Sequence, residues 1–551
     1  MLTSQRLSRL FPYLLVCFGW QMITGCQSEN RSGIHFTEVT KQAGIDYLLR
    51  IGASEKRSSS TLTILQTIGN GCAFLDYNND GNLDILLVGP KPALYQGDGK
   101  GHFRNVTHQA GLDRLSGYFL GCAVGDYDND GFEDIYLSGF QTGALLHNEA
   151  GKRFRVVTTR AGIKPQPWGT SCGWVDVGRR GKLDLFVCNY VEFAPDPKRY
   201  VQYCEPLACG PRTYSPMMPV LYENQGNGHF DDISKRSGLN AASGKGLGVA
   251  FADLGNQGST DIITGNDEVA GDLFRTDGKM HFRNIGIASG IAFGASGQPQ
   301  GGMGVDCADY DGDGRLDVIV ATYWDQAKSL YHNDGNGVFS NVSEATGIAR
   351  PGKPFVSFGV KWLDYDNDGW PDLLFANGNV DNHIDILFPE QRFREPMLAL
   401  HNIGGKRFVD ESALLGPAIK RPIIGRGLAT GDFDNDGRID VLVMNSDGQP
   451  LLLHNEGGKV GNWIGLSLVG TGHSNRDAYG ALVRVRAGGR VQLKQVQSAG
   501  SYLSASDKRL LFGLGTATHI EEITVTWPDG RNEKIAPLPP GRYYTLRESQ
   551  N

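Results

Sequence analysis

Beyond its N-terminal segment, the 551-residue sequence has no apolar run long enough to cross a bilayer. It has no third-residue glycine period, so a collagen-like chain is excluded even though 75 residues are glycine. It has no surplus of positive charge. A net charge of −7 argues against a nucleic-acid binder held by a basic face. No zinc pair, nucleophile elbow or phosphate loop is present, and Gly301-Gly302-Met303-Gly304 leads into a strand pattern rather than a helix. No catalytic residue is therefore assigned. With 40% apolar residues the chain is not short of core material either, which excludes disorder. What it has in excess is glycine, and so turns.

The N-terminus reads as an export signal over residues 1–25. Arg6 and Arg9 precede the apolar stretch from Leu10 to Gly19. Ile23-Thr24-Gly25-Cys26 follows and resembles a bacterial lipobox, with Cys26 as the lipidated residue and 26–32 as a short tether. The expected location is outside the cytoplasm: anchored by lipid to a bacterial outer membrane or cell surface, or periplasmic. The membrane contact is the anchor alone.

Self-similarity dominates the remainder. A block of apolar residues, an aspartate, an acidic glycine loop and Leu-Asp recurs seven times, with leading residues Asp76, Asp126, Asp176, Asp253, Asp309, Asp364 and Asp432. Each block is followed by an element of the type Leu-Tyr-His-Asn. A third element, of the type Gly-His-Phe-x-x-Val, follows six of them at Phe103, Phe154, Phe230, Phe282, Phe339 and Phe408. The seventh copy stands at the front, at Gly33 to Val39. Four short strands per repeat predict an all-β fold, a seven-bladed β-propeller over 33–458 in which the N-terminal strand completes the last blade. A small all-β domain over 460–548 follows, with strands over 463–469, 482–486, 491–497, 523–527 and 543–546.

Five loops carry a full oxygen set. These are Asp76, Asn78, Asp80, Asp84; Asp126, Asp128, Asp130, Asp134; Asp309, Asp311, Asp313, Asp317; Asp364, Asp366, Asp368, Asp372; and Asp432, Asp434, Asp436, Asp440. A glycine follows the third ligand each time, at Gly81, Gly131, Gly314, Gly369 and Gly437. Calcium takes six to eight oxygens, and ligands at positions 1, 3, 5 and 9 of a tight loop can wrap one ion. Position 9 is Asp and the flanks are strands, so an EF-hand is excluded. About five calcium ions are expected. The loops led by Asp176 and Asp253 lack ligands, and Arg180 is expected to stand in for an ion in the first. Eight of the twelve histidines fall at two repeat positions, among them His147, His332, His401 and His454, and are read as structural.

These loops, with Leu-Tyr-His-Asn and Phe-x-x-Val, resemble FG-GAP/VCBS repeats of the integrin alpha-subunit type. Asn475-Arg476-Asp477-Ala478-Tyr479-Gly480-Ala481, Ser498-Ala499-Gly500-Ser501-Tyr502, Phe512-Gly513-Leu514-Gly515 and Val525 to Gly530 resemble the ASPIC/UnbV domain of cartilage-acidic-protein-like proteins. The resemblance implies a calcium-dependent extracellular propeller and no particular catalytic activity.

Two long insertions, about Asn189 to Pro219 and Asn377 to Pro396, both follow a second strand and so project from the face opposite the calcium loops. Candidate ligand-face residues there are Asn189, Tyr190, Tyr203, Asp267, Trp324, Asp325, Asn379 and His383. Cys204 and Cys209, inside the first insertion, are expected to form a disulfide. The reading is a binding or adhesion module for a protein or glycan, with no nucleic-acid partner. The alternatives are an enzyme acting on polysaccharide, with Glu192, Asp267, Glu268 and Asp325 as candidate carboxylates, and an assembly scaffold that uses the C-terminal domain.

Overall fold

The computed structural model describes residues 33–50, 62–193, 207, 209–458 and 461–550. Cys26, Tyr203 and Cys204 lie outside them, as do the signal and tether. The fold is all-β apart from short helical turns. Among the described residues no helix is long and apolar enough to cross a membrane.

The repeats become antiparallel four-strand units. The first comprises Cys72–Leu75, Asp84–Leu87, Ala93–Gly97 and Phe103–Asn105, in that spatial order. Its second strand is buried at every position because sheets cover both faces. The unit beginning at Val305–Ala308 and that beginning at Ser357–Leu363 repeat the same order. In the unit beginning at Gly246–Ala252 an extra short strand, Gln300–Gly301, pairs with Asp261–Val269. In the last unit, Gly425–Gly431, Asp440–Asn445 and Leu451–Asn455 are joined by Phe36–Glu38, with Phe36 opposite Asn455 and Glu38 opposite Leu453.

The second repeat departs from four separate strands. Asp134–Asn148 is one 15-residue strand that serves as its second and third. Gly139 and Gly143 flank its middle and Gln141 takes a φ of 53°, so the chain bends without leaving the ladder. Phe140 then pairs with Trp168 and merges this unit with the next into a seven-stranded sheet.

The first strands touch in sequence. Cys72–Leu75 packs on Tyr118–Gly125, then Gln166–Val175, Gly246–Ala252, Val305–Ala308, Ser357–Leu363 and Gly425–Gly431 follow, and the last contacts the first. Their inner edges are met by residues 495–507 of the C-terminal domain. The Cys72 N–H donates to Ser504 Oγ (3.1 Å), that of Cys122 to the Leu503 carbonyl (3.1 Å) and that of Val360 to Ser501 Oγ (3.2 Å). Val305 and Ser501 exchange both backbone bonds (3.0 and 2.7 Å), Ser171 Oγ accepts from Leu503 N (2.9 Å), and Thr430 N donates to Ser506 Oγ (3.1 Å). Asp253 N donates to Gln495 Oε1 (3.0 Å). A buried cluster of Ile64, Ile68, Trp168, Tyr190, Phe358, Tyr502 and Leu503 packs the same segment against residues from several repeats.

The C-terminal domain has two sheets. Asn462–Val469 lies between Leu510–Gly515 and, in parallel, Tyr543–Arg547. Leu482–Ala487 lies between Arg490–Gln495 and Ile520–Thr526, and Asn532–Ile535 completes the edge. Two strands, Leu510–Gly515 and Asn532–Ile535, are additional to those read from the sequence. Residues 32–551 form one compact unit, and one apolar cluster joins Trp174 and Tyr222 to Ile464, Phe512 and Trp527.

Candidate metal centres in the repeat loops

Each loop joins the first and second strand of its repeat, and one local geometry recurs. In the first, Asp76 Oδ1 accepts from Asp80 N (3.1 Å) and Oδ2 from Gly81 N (2.9 Å), which curls the loop around its leading carboxylate. Asn79 has a φ of 57° and Gly81 of 84°. The equivalent residues Asn129, Gly312, Asn367 and Asn435 also have positive φ, a region that asparagine and glycine enter most readily. The ninth residue is fully buried at Asp84, Asp134, Asp317, Asp372 and Asp440. It is fixed by two backbone donors: Asp84 accepts from Tyr77 N (3.0 Å) and Gly97 N (2.9 Å). Each set of carboxylates therefore converges on its own loop.

Crowding shows in the electrostatics. Burial first, and then neighbouring carboxylates, push the Asp84 and Asp126 carboxyls up to about 8 and Asp309 up to about 7. Burial, reinforced by neighbouring loop carboxylates, holds Asp317, Asp364 and Asp440 well above the usual range. Asp309 and Asp364 are 5% and 7% exposed, and Oδ1 of each has no hydrogen-bond partner. Buried acceptors without donors, on a convergent hard-oxygen set, fit a divalent cation. Asp128 with Asp134, Asp311 with Asp313, Asp366 with Asp368, and Asp434 with Asp436 each bring ligand atoms within 4.8 Å of a histidine nitrogen.

The two incomplete loops keep the backbone geometry but hold an arginine. Asp176 accepts from Arg180 N (2.8 Å) and Gly181 N (2.8 Å). The Arg180 guanidinium lies on Asp184 Oδ1 (2.6 Å) and Glu223 Oε1 (3.0 Å). In the next loop Arg275, from the third strand, reaches Asp261 Oδ2 (3.1 Å). Arg275 was missed in the sequence because it is 14 residues from its partner in the chain. Its signal was the Leu-Phe-Arg-Thr departure from Leu-Tyr-His-Asn.

Two further findings escaped the sequence. His147, His332, His401 and His454, read as structural, stand against loop carboxylates. His147 Nδ1 is 3.3 Å from Asp128 and 3.2 Å from Asp134, His332 Nε2 is 3.1 Å from Asp311, His401 Nδ1 is 2.9 Å from Asp372, and His454 Nε2 is 3.0 Å from Asp434. The strand pairing that carries the adjacent asparagine to the ninth aspartate brings the imidazole over the loop. That asparagine links repeats. Asn148 Nδ2 donates to the Tyr77 carbonyl (2.8 Å) of the preceding repeat, and Asn224, Asn333, Asn402 and Asn455 donate likewise to Tyr127, Leu254, Tyr310 and Tyr365.

The C-terminal domain lies against these loops. Tyr543 Oη donates to Asp432 Oδ2 (2.8 Å), Asp126 N to Asp477 Oδ2 (2.6 Å), and Arg490 to the Asp368 carbonyl (3.0 Å). A cleft of about 530 Å³ remains between the domain and the first two loops, lined by Asp76, Asp126, Arg476, Lys508 and Arg547.

Of the ligand-face candidates, Tyr190 and Asp267 come together: Tyr190 Oη donates to Asp267 Oδ2 (2.6 Å), and burial pushes the Asp267 carboxyl up to about 7. Asn189 and Asn379 are buried and instead hold the chain, donating to Gln166 (3.1 Å) and Gln391 (3.0 Å) respectively. Trp324 packs half-buried against the axial cluster, His383 is half-buried, and Asp325 and Glu192 are exposed. Cys209 is buried and disulfide-bonded.

Comparison with known proteins gives the class. FG-GAP-like repeats match residues 76–137, 126–187, 256–320 and 309–375, and the ASPIC and UnbV family matches 470–551. The chain carries FG-GAP repeats followed by an ASPIC/UnbV domain, the arrangement of cartilage acidic protein 1. It is 24% identical to that protein from Xenopus tropicalis over 84% of this chain and 70% of the relative. With the Homo sapiens protein it shares 22% over 66% of this chain, spanning about half (51%) of the relative. Among solved structures, an Agrocybe aegerita lectin recognising non-reducing terminal N-acetylglucosamine superposes with a TM-score of 0.38 at 17% identity, over 62% of this chain and 79% of that one. YCF48 bound to a D1 peptide gives 0.38 at 10%, over 74% and 97%.

Proposed function

We propose that this chain is an exported binding or adhesion module, a seven-bladed propeller stiffened by calcium in five repeat loops, which engages a protein or glycan through the face opposite those loops. The observation that carries the calcium reading is the division among the loops. The five complete loops have no arginine on the buried ninth aspartate, Arg315 and Arg438 pairing instead with the fifth-position Asp313 and Asp436, whereas the two that lack ligands hold Arg180 and Arg275 against their ninth aspartates Asp184 and Asp261. In one and the same backbone frame, a guanidinium occupies the place where the ligand set is too small for an ion. The unbroken succession of first-strand contacts, and the pairing of Phe36–Glu38 with Leu451–Asn455, support seven blades and closure by the N-terminal strand.

The choice of face rests on packing. The C-terminal domain's sheets cover the loop side, through Tyr543, Arg490 and Asp477. The insertions, each of which follows a second strand, are assigned to the other side. Asp76, Asp126, Asp309, Asp364 and Asp432 with their loop partners would hold the ions, which supply local positive charge and fix the hairpins. Export through residues 1–25 and lipid attachment at Cys26 complete the proposal, and put the loops in contact with extracellular or periplasmic calcium. Calorimetry on the metal-stripped protein should count about five calcium ions. A glycan array read with and without calcium should show calcium-dependent capture. Fewer than two ions bound, or capture indifferent to calcium, would sink it.

A further inference from the structure

One position of the repeat changes in step with the state of its loop. It is the third-strand residue just before the position of the linking asparagine, which is Gly97 in the first repeat and Thr276 in the fourth: Gln96, His147, Glu223, Arg275, His332, His401 and His454 in chain order. Where the loop is complete this residue is a neutral-capable donor, an amide in the first repeat and an imidazole in the other four. Gln96 reaches Asp80 (3.5 Å) as the imidazoles reach their carboxylates. Where the loop is incomplete the residue is either the partner of the internal arginine, Glu223 on Arg180, or the arginine itself, Arg275 on Asp261. In every repeat, then, the side chain is aimed at the loop carboxylates or at the arginine that stands on them.

We propose that His147, His332, His401 and His454 are further metal ligands, so that four of the five loops bind a divalent cation through one imidazole nitrogen together with carboxylates, and the first through oxygen ligands of its own loop, the Gln96 amide only donating to Asp80. This deepens the reading above and rests on the loops being metal sites. Its second support is independent of the histidines: Asp309 Oδ1 and Asp364 Oδ1, on residues more than nine-tenths buried, have no hydrogen-bond partner. Histidine nitrogens lie 3.1 Å and 3.4 Å from Asp311 and Asp313, and 3.0 Å and 3.9 Å from Asp434 and Asp436, which brackets a space between mixed donors. Calcium draws on oxygen ligands, whereas imidazole suits first-row transition ions, and carboxylate suits manganese as well. The four histidine loops should therefore accept Mn²⁺ in competition with calcium better than the first loop does.

The test uses Mn²⁺ as probe on the metal-stripped full chain. Pulsed electron paramagnetic resonance of the loaded protein should show nitrogen-14 coupling from directly bound imidazole. The fourfold variant His147→Gln, His332→Gln, His401→Gln, His454→Gln copies the first repeat. It should lose that coupling while still binding about five ions, with Mn²⁺ affinity falling by at least the roughly 10–100-fold that outer-shell partners are worth. If that variant fails to fold, the wild-type spectrum and His454→Gln alone decide, the latter by a fractional loss of coupling. Mn²⁺ bound without nitrogen coupling overturns this inference and leaves the loops as metal sites. Binding of neither Mn²⁺ nor calcium overturns both.

Discussion

At the scale of single residues the loops are a problem in uncompensated charge. A carboxyl whose folded value is raised holds its proton more tightly in the native state than in the unfolded chain. Its contribution to stability is complete below the unfolded value near 4 and is lost as pH rises through the folded value. Asp84 and Asp126 reach about 8, and Asp309 and Asp432 about 7. The metal-free protein should accordingly lose stability between pH 4 and pH 8, and calcium should reverse the slope by favouring the ionised form. Urea unfolding in EDTA at pH 5 and pH 8 checks the sign; greater stability at pH 8 without metal would contradict it. Arg180 does by covalent attachment what an ion does elsewhere. Arg180→Ala leaves Asp184, wholly buried, without its guanidinium, and should cost about 1–3 kcal/mol. The same denaturation measured with saturating calcium should recover little of that loss, because the loop still lacks its third and fifth carboxylates. The aspartates and the Arg180 substitution were legible as sequence because their ligands lie within nine residues of one another. Arg275 and the histidines were not, because their contact with the loop is made by strand pairing, which places residues 13 to 29 positions apart side by side.

Elements were legible where the repeat itself was regular. The strand pattern of the first repeat and the displacement of the last repeat's final element to Phe36–Glu38 both follow from counting. The fused strand Asp134–Asn148 did not show, since its glycines read equally as a turn. Strands Leu510–Gly515 and Asn532–Ile535 were hidden because single-sheet edges carry little apolar alternation. The most consequential omission was residues 495–507, read as a motif and not as an element. They form no long strand of their own, and their backbone pairs with several first strands in turn. Glycine before those strands is explained by this close approach. A Cβ on Gly71 would lie 1.7 Å from the Leu503 carbonyl oxygen, backbone that cannot swing aside. Gly71→Ala should therefore lower the melting temperature of the whole molecule, and Gly81→Ala, which meets nothing within 4 Å but has a φ of 84°, should cost only the backbone strain of about 1–2 kcal/mol. Equal melting shifts from the two variants would mean that the axial segment packs more loosely than its hydrogen bonds imply.

For the whole molecule, the consequence is that repeats and C-terminal domain depend on each other. The succession of first strands presents a row of backbone N–H and C=O groups toward the C-terminal domain, and leaving such groups buried and unpaired costs about 1–3 kcal/mol each. Here Ser501, Leu503, Ser504, Ala505 and Ser506 meet them, and Tyr502 Oη donates to the Ile68 carbonyl (3.0 Å) on the far side of the axial cluster. Removing the domain would strip those partners from most repeats at once and expose Trp174 and Tyr222, which share a core with Phe512 and Trp527. The domain loses equally, since residues 495–507 are held by the first strands of the repeats. A chain divided between residues 458 and 461 should therefore remain one particle on gel filtration, with a single unfolding transition in calcium, while residues 33–458 expressed alone should melt earlier and bind an apolar dye. The loops lie at the same junction, through Asp432 with Tyr543 and Asp126 with Asp477. Chelation should thus loosen the two halves of the divided chain before it unfolds either. Halves that separate freely in the presence of calcium would show that the axial hydrogen bonds do not hold the assembly, and would return the C-terminal domain to the status of an independent appendage.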